Sequence, residues 1–190
     1  MNITSRFQQA TSLSGSILLS HPSLKDPNFS RSIVFLSNHS QDDGTLGVIL
    51  NRPLGKKLFQ LDEQFNHFSL GQAEVYDGGP VEREKLIIAA WVWKDSTDSF
   101  RLHFGIDITK AESLRENNHN IHMACFLGHS GWSPGQLEDE LKLDSWLVTT
   151  LNLNLFEQMN AKTECWKAAV SGMSDEMRLL ADAPEKPWRN

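Results

Sequence analysis

From Gly15 to Asn51 the apolar residues come in three short runs, 16–20, 32–36 and 46–50, separated by the polar, turn-forming segments 22–30 and 38–44. This spacing predicts three strands, the last two joined as a hairpin. Ile33, Val34, Phe35 and Leu36, like Val48, Ile49 and Leu50, are continuously apolar instead of alternating, so both faces of these strands are expected to be covered. Beyond Pro53, the positions Leu58, Leu61, Phe65 and Phe68 approximate helical spacing, and Val75-Tyr76 leads into a glycine corner. Three further strands are predicted over 85–93, 99–104 and 121–127. A helix over 109–116 lies between the last two, with Thr109 as N-cap and Glu112 three residues on. Ser133-Pro134-Gly135-Gln136 has the form of a capping box opening a helix, followed by a strand over 146–150 and a helix over 164–170 ending at Gly172.

Strands in runs with only occasional helices favour an α+β fold with a mixed sheet over a doubly wound one. At 190 residues the chain suits a single domain that buries roughly 70% of its unfolded surface. We read a flexible N-terminus over 1–12, one domain over 13–180 and a mobile tail over 181–190. The 39% apolar and 22% charged content is that of a globular protein.

The formal charge of −6 makes a general nucleic-acid footprint unexpected, because Arg52, Lys56 and Lys57 are followed at once by Asp62 and Glu63. No run of 18 apolar residues and no secretory leader is visible, so a cytoplasmic location without membrane association is expected. Cys125 and Cys165, far apart in apolar surroundings, are expected to be buried, reduced thiols.

Three corners concentrate the unusual residues. The first, Asn51-Arg52-Pro53, ends a strand, and its arginine either clamps an anion with its planar fork or holds Asp77 or a carbonyl and fixes the corner. In the second, Asp77-Gly78-Gly79-Pro80, glycines that tolerate positive φ expose backbone amides or simply make a tight connection. The third runs from Gly128 through His129, Ser130, Gly131 and Trp132 to Gln136. It nearly matches the G-x-S-x-G nucleophile elbow, but its fifth residue is Trp132, and the expected helix cap lies too far from Ser130. Of Trp91, Trp93, Trp132, Trp146 and Trp166, most belong in the core, whereas Trp132, between a glycine and a helix cap, is expected at a pocket mouth or protein contact. His119-x-x-His122-x-x-Cys125 has zinc-type ligands, but on a strand His122 and Cys125 point to opposite faces, so no metal site is assigned.

Five segments follow in order: Gly15-Ser16-Ile17-Leu18-Leu19; Asp26-Pro27-x-Phe29-x-Arg31-Ser32; Leu46-Gly47-x-x-x-Asn51-Arg52-Pro53; Tyr76-x-Gly78-Gly79-Pro80-Val81; and Gly131-Trp132-x-x-Gly135-Gln136-Leu137-Glu138. On these the chain resembles the AlgH/YqgE family of bacterial proteins. The resemblance spans about Leu13 to Gly172. Membership implies an α+β fold whose bifurcated sheet folds into a pseudo-barrel with helices packed around it. Some members carry a label as regulators of transcription, but the resemblance transfers no catalytic residues and no cofactor. The sequence departs from the commoner pattern at Ser37-Asn38, where Cys-Glu is usual, and at Ala89-Ala90-Trp91.

The leading expectation is a non-enzymatic binding or adaptor protein. Its cleft would be built from Asn51, Arg52, Asp77, Gly78, Gly79, His129, Trp132 and Gln136, and would hold a small anion or a segment of a protein partner. The alternatives are a transcriptional regulator acting on DNA and a small hydrolase using Ser130 with His129 or His122.

Overall fold

The computed structural model describes residues 12–94, 99–152, 155, 158–159 and 162–183. The segments 1–11 and 184–190, where mobile ends are expected, and the Trp93 side chain lie outside this description. Strands β1 (Ser16–Ser20), β2 (Ile33–Ser40) and β3 (Gly44–Ile49) form antiparallel neighbours, with the expected hairpin between the last two. β4 (Pro53–Lys57), helix α1 (Leu58–Leu61) and two 3-10 turns (Glu63–His67 and Ser69–Gln72) lead to β5 (Glu74–Asp77). Next come β6 (Val81–Lys94), β7 (Ser99–Ile106), α2 (Ile108–Asn117), β8 (His122–Trp132), α3 (Gln136–Lys142), β9 (Trp146–Thr150), α4 (Thr163–Ser171) and α5 (Asp175–Asp182).

The single mixed sheet runs β4-β5-β8-β3-β2-β1-β9, and a branch carries β6 and β7 from β8. β8 is the branch point. Its first half lies between β5, which is parallel to it, and β6, which is antiparallel; its last residues pair with β3 through Thr45↔Trp132 and Gly47↔Ser130. The fold is therefore α+β and the sheet is bifurcated as the resemblance implies, but it does not close into a barrel. β4, β7 and β9 each have one strand neighbour among the described residues.

Branching explains the continuously apolar strands. Ile17, Leu19, Ile33, Phe35, Val48 and Leu50 enter a core closed by Cys165, Trp166 and Val170 of α4 and by Ala181 of α5. Their neighbours Leu18, Val34, Leu36 and Ile49 enter a second core with Trp132, Leu137 and Trp146. A third cluster places Leu58, Phe65 and Leu70 against Val75, Ile88 and Cys125. With one cluster on each face, Ile33–Leu36 and Val48–Leu50 are apolar at every position.

Several local expectations are corrected. β8 does not end at Leu127 but continues to Trp132, because Gly128 adopts φ +71° and carries the chain through a kink without breaking it. Ala124 and Phe126 face the first core, yet Trp132, of the same parity, enters the second. α2 is capped by Asp107, whose side chain accepts from the Lys110 N–H, and not by Thr109. Glu112 instead accepts hydrogen bonds from Ser69 and Leu70 across the chain. Ser133 does not cap α3; left-handed Gly135 does, although Gln136 Oε1 accepts from the Ser133 N–H as the capping box predicts. The helical spacing of Leu58, Leu61, Phe65 and Phe68 corresponds to the short helix α1 followed by two 3-10 turns, and strand β4 precedes them unforeseen. No helix among the described residues is long and apolar enough to cross a membrane.

Candidate functional site

The three corners separate into two structural jobs. At the first, Asn51 is buried and its side chain is saturated: Oδ1 accepts from the Ile33 N–H at 2.9 Å, and Nδ2 donates to the carbonyls of Arg31 and Lys162 at 2.9 and 3.2 Å. Arg52 donates to the Ser30 carbonyl at 3.3 Å, so it fixes the corner through a carbonyl. Burial lowers its pKa from the usual guanidinium value, with the charges of Asp77 and Asp26 opposing that shift.

The second corner meets the first. The Asp77 N–H donates to the Arg52 carbonyl at 2.9 Å, and the Gly78 N–H to Leu127 at 2.8 Å. The Gly79 N–H turns back to Asp77 Oδ1 at 3.2 Å. These amides already have partners, so they do not form the open anion cradle that the glycine pair suggests. The glycines are needed for close approach: a Cβ on Gly78 would lie 2.4 Å from the Gly128 carbonyl oxygen, and Gly79, at φ +144°, would bring one equally close to His129. The Gly78 carbonyl accepts from the Ile49 N–H and from Ser130 Oγ at 3.2 Å. Ser130 is wholly buried in that bond, which leaves it out of reach of any substrate and removes the geometric basis of the hydrolase alternative.

Trp132 is not at a pocket mouth. It is 5% exposed, stacks on Phe29 and donates its indole N–H to Glu140 Oε2 at 2.8 Å. Gln136 is exposed and donates to the other oxygen of Glu140. Both residues belong to the second core and its helix, away from the Asn51 and Gly78 corners. His119, His122 and Cys125 also fail to converge, and no group of three potential metal ligands occurs among the described residues.

His129 stands apart from the other expected residues because it faces an open space. Between Val81 and Leu86, β6 bulges away from β8, while β3 leaves β8 beyond Gly47. The fork that results holds a cleft of about 160 Å³. Ser37, Leu46 and Val48 form one wall, Glu82, Lys85, Ile87 and Phe104 the other, and His129 lies on the floor. His129 Nδ1 is enclosed and has no hydrogen-bond partner; Glu82 Oε2 is 3.6 Å away, beyond hydrogen-bond distance though within reach of an ion pair with a protonated imidazole. Glu82 has φ +47°, a left-handed conformation that is costly for a side-chain-bearing residue. Its carboxylate meets Lys85 Nζ at 3.0 Å, and that hydrogen bond and charge hold its pKa below the ordinary value. Sequence reasoning named His129 but missed Ser37, Leu46, Glu82 and Lys85, since only the bulge in β6 brings them together. A second, more polar cleft of about 180 Å³ lies beside Arg115 and His122, and among the described residues no unpartnered buried atom marks it.

Residues 17–178 match the family model described as AlgH-like (DUF179). A UPF0301 protein of Streptomyces avermitilis is 30% identical over 190 residues, covering 96% of this chain and 97% of the relative. A UPF0301 protein of Ruegeria pomeroyi is 33% identical over 178 residues, covering 89% and 96%. Among solved structures, protein DIP2367 of Corynebacterium diphtheriae is similar with a TM-score of 0.67 and 22% identity, over 89% of this chain and 91% of that one. The solution structure of the AlgH protein of Pseudomonas aeruginosa gives 0.62 and 22%, over 94% and 97%. At such identity these two structures speak for the fold alone, and it is the family match across 17–178 together with the curated relatives that carries the assignment: the chain belongs to the AlgH-like family.

Proposed function

We propose that the protein is a non-enzymatic binding or adaptor protein whose ligand, a small molecule or a segment of a partner, enters the fork cleft above His129. The observation that carries this reading is the enclosed and unpartnered Nδ1 of His129. Buried polar atoms are nearly always hydrogen-bonded, so one left without a partner on the floor of a cleft is a place for a ligand atom. The strained Glu82 beside it points the same way, because backbone strain persists where the surroundings enforce it and concentrates at binding sites. The Asn51, Arg52, Asp77, Gly78 and Gly79 corner, expected to touch the ligand, serves this reading as the brace that holds the fork open.

The test is a thermal-shift screen of metabolites, nucleotides, anions and duplex DNA, since a ligand that binds only the folded state raises its apparent stability. A stabilising compound whose effect is lost in His129→Phe and Ser37→Trp, and retained in Arg52→Ala, supports the cleft. Hits that survive both cleft variants and disappear with Arg52→Ala would move the site to the glycine corner and overturn the reading.

A further inference from the structure

The polar groups around the cleft differ in sign and position, and this pattern restricts the ligand. Resting on the reading of the fork cleft as the binding site, we propose that it takes an α-amino acid with an apolar side chain: the α-ammonium, admitted by an outward swing of the exposed Glu82 carboxylate, bridging that carboxylate and His129 Nδ1, the ligand carboxylate on Lys85, and the side chain along Leu46, Val48 and Phe104.

Each part follows from the chemistry of its lining. With its proton on Nε2, the His129 imidazole presents Nδ1 as an acceptor, and the Glu82 carboxylate is an acceptor only. In that tautomer the two groups, 3.6 Å apart, are both acceptors and do not satisfy each other. A group with several N–H donors satisfies both, and an ammonium is the strongest such group because its bond to a carboxylate is charge-assisted. A metal ion fits less well, because His129 and Glu82 supply only two ligands and the Lys85 ammonium already lies 3.0 Å from that carboxylate.

Lys85 provides the complementary half. Its pair with Glu82 is more than half exposed on both sides, so water screens it and it opens at little cost. Once a ligand ammonium takes over the carboxylate, the Lys85 ammonium is released to bind the ligand's own carboxylate. The remaining wall is apolar, and Phe104 packs on Phe35 with ring centroids 5.8 Å apart, which fixes a firm surface for an aliphatic or aromatic side chain.

The experiment is a titration of the isotope-labelled full chain followed by NMR, reading the His129 imidazole nitrogens and the amide of Gly131. That glycine is a suitable reporter because a Cβ there would lie 4.0 Å from His129 Cδ2. The probes are leucine, phenylalanine, leucinamide, N-acetyl-leucine and the dipeptide Leu-Gly. Saturable shifts with leucine or phenylalanine and none with N-acetyl-leucine are expected. Lys85→Ala should weaken leucine about tenfold while leaving leucinamide unchanged, and Glu82→Gln should weaken both by about that factor. Absence of saturation by leucine and phenylalanine at about 10 mM, or equal binding of N-acetyl-leucine, would overturn the proposal. Tighter binding of Leu-Gly than of leucine would overturn the free amino acid in favour of a chain N-terminus. If another compound moves the His129 signals while both amino acids do not, this inference fails and the cleft remains the binding site.

Discussion

The indoles of Trp132 and Trp146 lie edge to face, their ring centroids 5.8 Å apart at 76°, and both donate to the same oxygen of Glu140, at 2.8 and 2.7 Å. One carboxylate on α3 thus satisfies a strand residue of β8 and another of β9, and ties the two ends of that part of the sheet to one helix. Glu140→Leu strands two indole donors away from water, at about 1–3 kcal/mol each when both remain unpaired. The expected outcome is a loss of about 2–4 kcal/mol in urea unfolding, accompanied by a change in tryptophan emission. Unchanged stability would mean that water reaches both indoles and that Glu140 is dispensable.

Gly78 and Gly131, which both lie beside β8 or within it, should respond oppositely to one methyl group. Gly78→Ala forces a Cβ to within 2.4 Å of a backbone oxygen, so a cost of about 2–4 kcal/mol or loss of soluble protein is expected. At Gly131 the nearest atom to a Cβ is 3.9 Å away, an ordinary contact. Gly131→Ala should be neutral or stabilising by up to about 1 kcal/mol, because alanine loses less chain entropy in a strand. Comparable melting temperatures for the two variants would contradict the packing described at the Gly78 corner.

Glu112 gives the protein an acid-sensitive tie between α2 and the second 3-10 turn. Burial alone would raise its pKa, but hydrogen bonds from the Leu70 and Ser69 amides and the Ser69 hydroxyl outweigh that and lower it. A carboxylate whose folded pKa is lowered contributes stability that is complete above its unfolded value, about 4.3, and that fades as pH falls through the folded value. Glu112→Ala should therefore cost about 1 kcal/mol at neutral pH, and the gap from wild type should shrink at about pH 3. A gap that is constant across this range would show that the carboxylate charge plays no part.

Both cysteines should be inert in the folded protein. Burial pushes the Cys125 thiol up to about 12 and the Cys165 thiol up to about 11, so almost no thiolate exists at pH 8. Neither should react with a thiol reagent in buffer, and two equivalents should appear on unfolding. Rapid labelling of either in the native state would mean that the first or third core opens locally.

How far the sequence could be read depended on whether the signal was local. β1 and β9 were legible residue for residue, because an apolar run bounded by turn formers needs no partner to be recognised. The end of β8 was hidden for the opposite reason: Gly128 has the form of a strand breaker, yet its +71° φ lets both flanking segments keep their partners. α5 went unread although Ser174 followed by Asp175 and Glu176 is a usable start signal; the Ser174 side chain does accept from the Met177 N–H. At the site, Asn51 and Trp132 look unusual because the fold needs them internally, and special residues mark structural corners as readily as binding ones. His129 was visible in sequence, but its missing partner was not, since that depends on where the β6 bulge places Glu82.

The three-way pairing of β8 also bears on how the molecule is made. β3, β5 and β6 all wait for a strand that begins at His122, so during synthesis their edges stay open until the ribosome has released more than half of the chain. Such distant pairing closes large loops before any contact compensates for them, which slows folding and lengthens exposure to aggregation. A nascent chain stalled before β8 should therefore be a client of chaperones, whereas one extended past Trp132 can complete both arms of the fork at once.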